Sequence, residues 1–362
     1  MKEAVGIEGV STAFAAGAAT GAILFGRLSL AGSFWAGASI VGSLTFATMV
    51  LLLQRPRRPF TALFFFFCCG LTCYLAASIS SPVSTTDFFI RRIAGNCSLA
   101  FKGLLDDMPF PHEECRAVVK ALTTGDRTSL NPSTVTVFRR SGASHILALS
   151  GLHLGIIYML ITRITSVAGN APTVRVSRYV LLVGLSGFYT LMSGASPSLV
   201  RAFLFILISE TANLTGRQRR PLKVWCSALL IQLAADPTAI ASTGFQLSYL
   251  AMLGIFTVFP HMQSWYPESR RFDPLKKIWD MAALSISCQL FTGPLAWLRF
   301  HAFPMYFLLT NLIVMPLTTL VMTSALSAML LAAAGLEPVF LTRVTDSLTG
   351  AMLYCLEIIA SM

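Results

Sequence analysis

The stretch FRRSGASHILALSGLHLGIIYMLITR at 138–163 gathers polar side chains where an apolar run begins: Ser141, Ser144, His145, Ser150 and His153. Ionisable residues inside a membrane are costly, and those that persist usually face a cavity or a path. Two imidazoles there could relay protons, bind a metal or donate to an anion. A metal site lacks its third ligand, because neither the histidine spacing nor nearby carboxylates supply one. A proton relay lacks the accompanying chain of Asp, Glu and His. On an ideal helix His145 and His153 stand about 80° apart, with Ser150 about 60° beyond His153, so they form no single stripe. A break between two half-helices at Ser150-Gly151 is therefore expected, tolerated where backbone meets protein or water. The other reading is packing, with both histidines satisfied by neighbouring helices and Gly151-x-x-x-Gly155 as a close-contact face. The residues fit both equally.

Two further clusters follow. In YTLMSGASPSLVRAFLFILISETANLTG (189–216), Gly194, Ser196 and Pro197 predict a turn, with Arg201 at the start of the next span. Arg201 either snorkels to the interface or faces a path for an anion; Glu210 is too far along to pair with it. In DPTAIASTGFQLSYLAMLGI (236–255), Gln246 and Ser248 are expected to hydrogen-bond across helices, with pore lining as the other role. Gln289, Asn311 and Pro316 interrupt later apolar runs, and Pro316 removes a helical hydrogen bond, breaking or kinking its helix. Tyr158, Tyr189 and Tyr249 could stack bases, though helix packing suits each. The sequence offers no activated nucleophile, paired carboxylates or phosphate-binding glycine loop. We therefore expect no catalytic residue, no enzyme activity, no cofactor and no metal.

These residues need a frame, and composition says which. Of 362 residues, 55% are hydrophobic and 12% charged, with a mean hydropathy of +0.69. A soluble domain carries about a quarter charged residues, and a disordered chain fewer apolar ones. Both classes are excluded. Apolar stretches near 10–26, 33–53, 60–79, 144–162, 179–193, 200–214, 222–235, 243–260, 279–298, 305–333 and 338–361 predict an all-α polytopic membrane protein. About 11 transmembrane helices are expected, some broken or re-entrant. No basic segment followed by a cleavage site marks a removable signal peptide.

Four short loops, at 55–59, 163–178, 216–223 and 268–277, hold 14 Lys/Arg and two acids, all on one side of the membrane by this count of spans. The positive-inside rule makes that side cytoplasmic, with the N-terminus inside and 81–140 outside. The segment 81–140 carries eight Lys/Arg and six Asp/Glu. Its apolar positions Phe88, Phe89, Ile93, Leu99, Leu104 and Leu105 suit interfacial amphipathic helices. A short helix from Glu113 to Leu122 is expected to stop at Gly125, and Ser133 to cap the helix after Asn131-Pro132. Residues 1–80 then form N-terminal transmembrane helices, 81–140 an extracytoplasmic segment, 141–334 a channel-type domain and 335–362 a last helix. Cys97 and Cys115 both fall in the outer segment, where a disulfide between them is an even choice; the other cysteines are small core residues.

Taken together, ALTTGDRTSLNP (121–132), RRSGASHILALSGLHLG (139–155), SGASPSLVRA (193–202), DPTAIASTGFQLSYLA (236–251) and NLIVMP (311–316) resemble the ComEC family of competence proteins, in order and spacing. The resemblance covers about 117–334. It implies an inner-membrane channel carrying single-stranded DNA into the bacterial cytoplasm during natural transformation. His145, Ser150, His153, Arg201, Gln246 and Asn311 are then the candidates for the DNA path. Gly151, Gly155, Gly194, Pro197 and Pro316 are the candidate helix-break or packing residues. Implied partners are single-stranded DNA, membrane lipid, a periplasmic DNA receptor, a separate nuclease and a cytoplasmic translocation motor, with no oligomeric state specified. Two departures stand out. Residues 81–116 are too short for an oligonucleotide-binding barrel, and no His-x-His-x-Asp-His motif of a metallo-β-lactamase-like domain occurs. The chain is expected to be a short member or a trimmed one. A secondary transporter of a small anionic solute and a membrane-anchored assembly factor are the competing readings.

Overall fold

The computed structural model describes residues 6–25, 41, 42, 44, 45, 48, 49, 59–79, 85–167, 169, 171–267, 273–301 and 306–362. Most of the expected span at 33–53 lies outside them, as do 55–58 of the first basic loop and 268–272 of the fourth. Among the described residues the chain is all-helical, without a strand. In chain order the helices are α1 Ile7–Phe25, α2 Pro59–Ile79, α3 Thr85–Asp106, α4 Glu113–Thr124 and α5 Pro132–Arg140. The one-turn α6 Ser144–Leu147 precedes α7 Gly151–Ser166, α8 Pro172–Met192, α9 Pro197–Leu214 and α10 Pro221–Ala235. After a 3₁₀ turn at Pro237–Ala241 come α11 Thr243–Thr257, α12 Phe259–Gln263, α13 Pro274–Phe300, α14 Phe307–Ala333 and α15 Val339–Ser361.

Local chemistry sets many of these ends. Proline occupies the first turn of α8, α9, α10 and α13, where its missing N–H costs nothing and its φ is already helical. Gly125 closes α4 in the left-handed region (φ 78°), where a residue without Cβ is unstrained. At the start of α5 the N-cap position belongs to Asn131, so Ser133 does not cap as expected.

By length and composition, five described helices could cross a membrane: Ile7–Leu24, Pro59–Ser78, Pro197–Leu214, Pro274–Phe300 and Phe307–Ala333. Among the described residues that is fewer than the expected eleven; the span at 33–53 lies mostly outside them, and other apolar helices are shorter or carry charges. α7 loses its first turns to the break before Gly151, while Arg175 and Arg178 sit in α8 and Arg343, Asp346 and Glu357 in α15. α14 runs unbroken through Pro316. One lost hydrogen bond among 27 helical residues is re-satisfied locally in membrane helices, so Pro316 does not break the element.

Packing is closest where glycines face backbone. A Cβ on Gly17 of α1 would stand 1.9 Å from the Phe67 carbonyl oxygen, and one on Gly70 of α2 2.0 Å from that of Phe14. The two helices touch backbone to backbone, the use of small residues typical inside membranes. Gly254 of α11 likewise abuts the Ser287 carbonyl of α13. The largest core joins α3, α4 and α5 to α14 and α15 through Leu105, Val118, Leu122, Phe138, Val321, Met322, Met352 and Leu356. The polar segment thus sits on the C-terminal helix pair. Ile93 and Leu99 of α3 stay exposed.

The Cys97–Cys115 bridge is not formed, and both thiols are free. Cys97 packs beside Leu154, Tyr189 and Leu199, whereas Cys115 turns toward Asp346.

Candidate functional site

The chain breaks where polar residues cluster. After the single turn of α6 the backbone is extended at Ala148 and Ser150, and α7 starts at Gly151. Such a break leaves carbonyls at the end of one half-helix and N–H groups at the start of the next without helical partners. Three groups at the break are answered by named side chains. Arg127, from the loop after α4, donates its Nε–H to the Leu147 carbonyl at 3.1 Å. The Ser150 hydroxyl accepts from the Leu152 N–H at 3.3 Å, and His153 Nδ1 accepts from the Ser150 N–H at 3.1 Å. The imidazole plays the returning half of a capping box. With Nδ1 an acceptor, the neutral ring carries its proton on Nε2, and that nitrogen is buried with no partner.

Arg201, in the first turns of α9, faces the same break. A Cβ on Gly151 would meet Arg201 Nη2 and the Ala202 Cβ, each at 3.3 Å. Arg201 is 7% exposed, so it does not snorkel, and its Nη1 is buried with no hydrogen-bond partner. Among the described residues no carboxylate lies within ion-pair range of it. Glu210 instead receives hydrogen bonds from the Tyr158 hydroxyl (2.7 Å) and Asn213 (3.1 Å) and pairs with Arg219 at 3.5 Å. Arg201 lies over the Tyr249 ring, with Cζ 5.8 Å from its centroid. Gln232 holds that frame, accepting from the Tyr249 hydroxyl at 2.9 Å and donating to the Pro197 carbonyl at 3.0 Å. The buried guanidinium stands beside the positive end of α7, and both favour negative charge.

The other expected residues divide. His145 is exposed, with its Nδ1 3.1 Å from the Gly142 carbonyl oxygen. Ser150 is half-buried at the break. Asn311 of α14 donates to Ser285 of α13 at 3.4 Å and leaves its own oxygen buried without a partner. Gln246 is not brought to the cluster: its amide donates to the Ile240 carbonyl at 2.7 Å, a local tie to the 3₁₀ turn rather than a bond across helices. Ser248 does bond across, to Ser198 at 3.0 Å. Gly155 has no atom within 4 Å of an added Cβ, so only Gly151 is a close-contact residue and the Gly-x-x-x-Gly face is not formed. The turn before α9 is built as expected, with Gly194 and Ala195 in the left-handed region and Pro197 opening the helix. Tyr189 donates to the Thr123 carbonyl at 2.7 Å, and with Tyr158 and Tyr249 it is occupied in helix packing.

Three contributors escaped sequence reasoning. Gln232 is the single amide in the apolar run of α10, a signal that was there to read. Arg127 gave no sign of pairing with Leu147. Thr310 donates to the Ser141 carbonyl at 2.6 Å, pinning α14 to the residues before α6. In front of Arg127 opens a polar cleft of about 600 Å³, lined by Lys102, Asp126, Thr128 and Ser193 among others. Lys102 bridges Asp126 there at 2.8 Å.

Residues 122–362 match the family described as Competence protein. A stretch of 203 residues is 26% identical to ComE operon protein 3 of Bacillus subtilis, covering 56% of this chain and 24% of that protein. Another of 239 residues is 26% identical to the uncharacterized protein YcaI of Escherichia coli, covering 63% and 31%. A third of 138 residues is 30% identical to Competence protein ComA of Neisseria gonorrhoeae, covering 36% and 20%. The chain thus spans between a fifth and a third of these curated relatives. No solved structure matches.

Proposed function

The chain belongs to the ComEC family of competence proteins, and on that premise we propose that it forms the path by which single-stranded DNA crosses the bacterial inner membrane in natural transformation. The observation that carries this reading is Arg201: a buried cation with no carboxylate in ion-pair range among the described residues, one open Nη1 and the start of a broken helix beside it. A fixed guanidinium left unpaired in an apolar setting is costly. An anionic backbone arriving there would supply its counter-charge. In this reading the exposed His145 is the approach, and the buried His153 and Arg201 are the polar station beyond it. Both are shut from solvent here, so in this reading strand entry requires α7 and α9 to part.

In this reading the N-terminus is cytoplasmic and the segment 81–140 faces outward. The chain positions and conducts the strand and catalyses nothing. A receptor delivers DNA, a separate nuclease prepares the strand and a cytoplasmic motor or strand capture supplies the energy.

The same lone cation would also suit a secondary transporter of a small anionic solute, so the test must separate them. In a naturally competent host lacking its own copy, the wild-type gene should restore uptake of labelled DNA, and Arg201→Ala should restore surface binding without uptake. Normal transformation in the deletion strain would sink the DNA reading. Solute accumulation lost with Arg201→Ala while transformation persists would establish the other.

A further inference from the structure

Asp346 lies in the N-terminal half of α15 and is buried, yet among the described residues no Lys or Arg within ion-pair range answers it. Its carboxylate faces the first turn of α4 instead. Oδ1 accepts from the His112 backbone N–H at 3.2 Å, and Oδ2 stands 2.7 Å from His112 Nδ1. Cys115, one turn further along α4, is buried on the same side. One ligand atom from each of the three residues lies within 4.8 Å of the others. The His112 side chain is 73% exposed, so the cluster opens to solvent on one side.

We propose that His112, Cys115 and Asp346 bind a single zinc-class divalent ion that staples α4 to α15. Residues 112 and 115 share one helical face because positions three apart are neighbours. Asp346 reaches them from 231 residues beyond Cys115. The donor set is one imidazole nitrogen, one thiolate and one carboxylate. Thiolate excludes magnesium and calcium, while nitrogen and carboxylate beside it favour zinc over copper(I). Two anionic ligands match the charge of a divalent ion.

The alternative is that Asp346 merely caps α4 while Cys115 fills space. Burial and the nearby Asp346 and Glu114 carboxylates push the Cys115 thiol up to about 12, so without a cation it is protonated and inert. A coordinated ion reverses that preference. On binding, Cys115 Sγ–H loses its proton to water as the metal–sulfur bond forms. If His112 binds through Nδ1, its remaining ring proton sits on Nε2. Ligand atoms around a tetrahedral zinc stand about 3.3–3.8 Å apart, so closure needs only side-chain adjustment. Water fills the fourth position, on the exposed side. The inference is independent of what the membrane path conducts.

The test uses the full chain in lipid nanodiscs, stripped with chelator and titrated with Co²⁺ as the spectroscopic stand-in for Zn²⁺. A thiolate-to-cobalt charge-transfer band should saturate at one ion per chain and bleach when Zn²⁺ is added. Cys115→Ser should abolish it, and His112→Ala and Asp346→Asn should each weaken binding at least about tenfold. Zn²⁺ should raise the Tm of the wild type and leave that of Cys115→Ser unchanged. Absence of the band from protein with intact helical circular dichroism overturns the proposal. A band of equal strength in Cys115→Ser assigns the ion to another cysteine and also overturns it. Unchanged affinity in both Cys115→Ala and Asp346→Asn does the same.

Discussion

The guanidinium of Arg201 lies 3.3 Å from the point at which a side chain on Gly151 would begin. That clearance is tighter than an ordinary van der Waals contact, and the same guanidinium lies over the Tyr249 ring. Gly151→Val should therefore displace the guanidinium, while Gly155→Val, in open space, should not. DNA uptake is expected to fall about tenfold or more for Gly151→Val, the scale of a lost charged contact. Gly155→Val should stay within about twofold, because it costs only helix propensity. Protein level on immunoblots serves as the control.

His153 can be tested for two roles at once. Its Nδ1 caps the Ser150 N–H, and its Nε2 is the unpartnered donor. His153→Ala should lower stability by about 1 kcal/mol through the lost cap. His153→Gln can restore the capping box. If Gln restores the Tm but not uptake, the Nε2 donor is the functional part; if it restores both, the role is capping.

Arg127→Ala should strip the Leu147 carbonyl of its partner. Leaving a buried acceptor unsatisfied costs about 1–3 kcal/mol. Faster hydrogen exchange at residues 144–152, with α14 unaffected, is the expected signature. Uniform exchange across the chain would place the defect elsewhere.

The pairing of Lys102 with Asp126 gives a pH dependence whose sign is fixed. The Lys102 ammonium, with further hydrogen bonds from Thr128, holds the Asp126 carboxyl well below the usual carboxylate range. A group whose folded value is depressed stabilises the fold above its unfolded value and loses that contribution as pH falls through the folded one. Thermal stability should decline below about pH 4, and Lys102→Ala should flatten that decline while lowering the plateau near neutrality. Identical acid limbs for the two proteins would remove the pair from the account.

Gly17 and Gly70 give a packing test. Each faces a carbonyl oxygen of the other helix at about half the distance a methyl group needs. Gly17→Ala should cost about 1–3 kcal/mol by overpacking, read as a lowered Tm. Gly184→Ala, with nothing within 4 Å, is the control.

What the sequence made legible was local. The stop at Gly125, the break before Gly151, the turn at Gly194–Pro197 and the separation of Glu210 from Arg201 all follow from residues a few positions apart. Backbone preference and helical geometry act over that range. The misreadings have the opposite character. Whether Gly151 or Gly155 meets another helix, whether Gln246 reaches across or back, and whether Cys97 meets Cys115 depend on how distant helices dock. Pro316 failed as a local signal, because a long helix with neighbours absorbs one missing hydrogen bond. Arg127, Thr310 and Asp346 were invisible as site residues, since each is defined by a partner far along the chain.

The bond from Thr310 to the Ser141 carbonyl, 169 residues apart, also bears on how the protein is made. Ribosomes deliver the chain from its N-terminus, so the broken helix enters the membrane long before Thr310 exists. During that interval the Ser141 carbonyl must lean on water or on the insertion machinery. The half-helix therefore reaches its final seat late, when α14 arrives. A ribosome stalled before residue 310 should hold a nascent chain whose 141–150 region is still open to water-borne labels, and release past that point should close it.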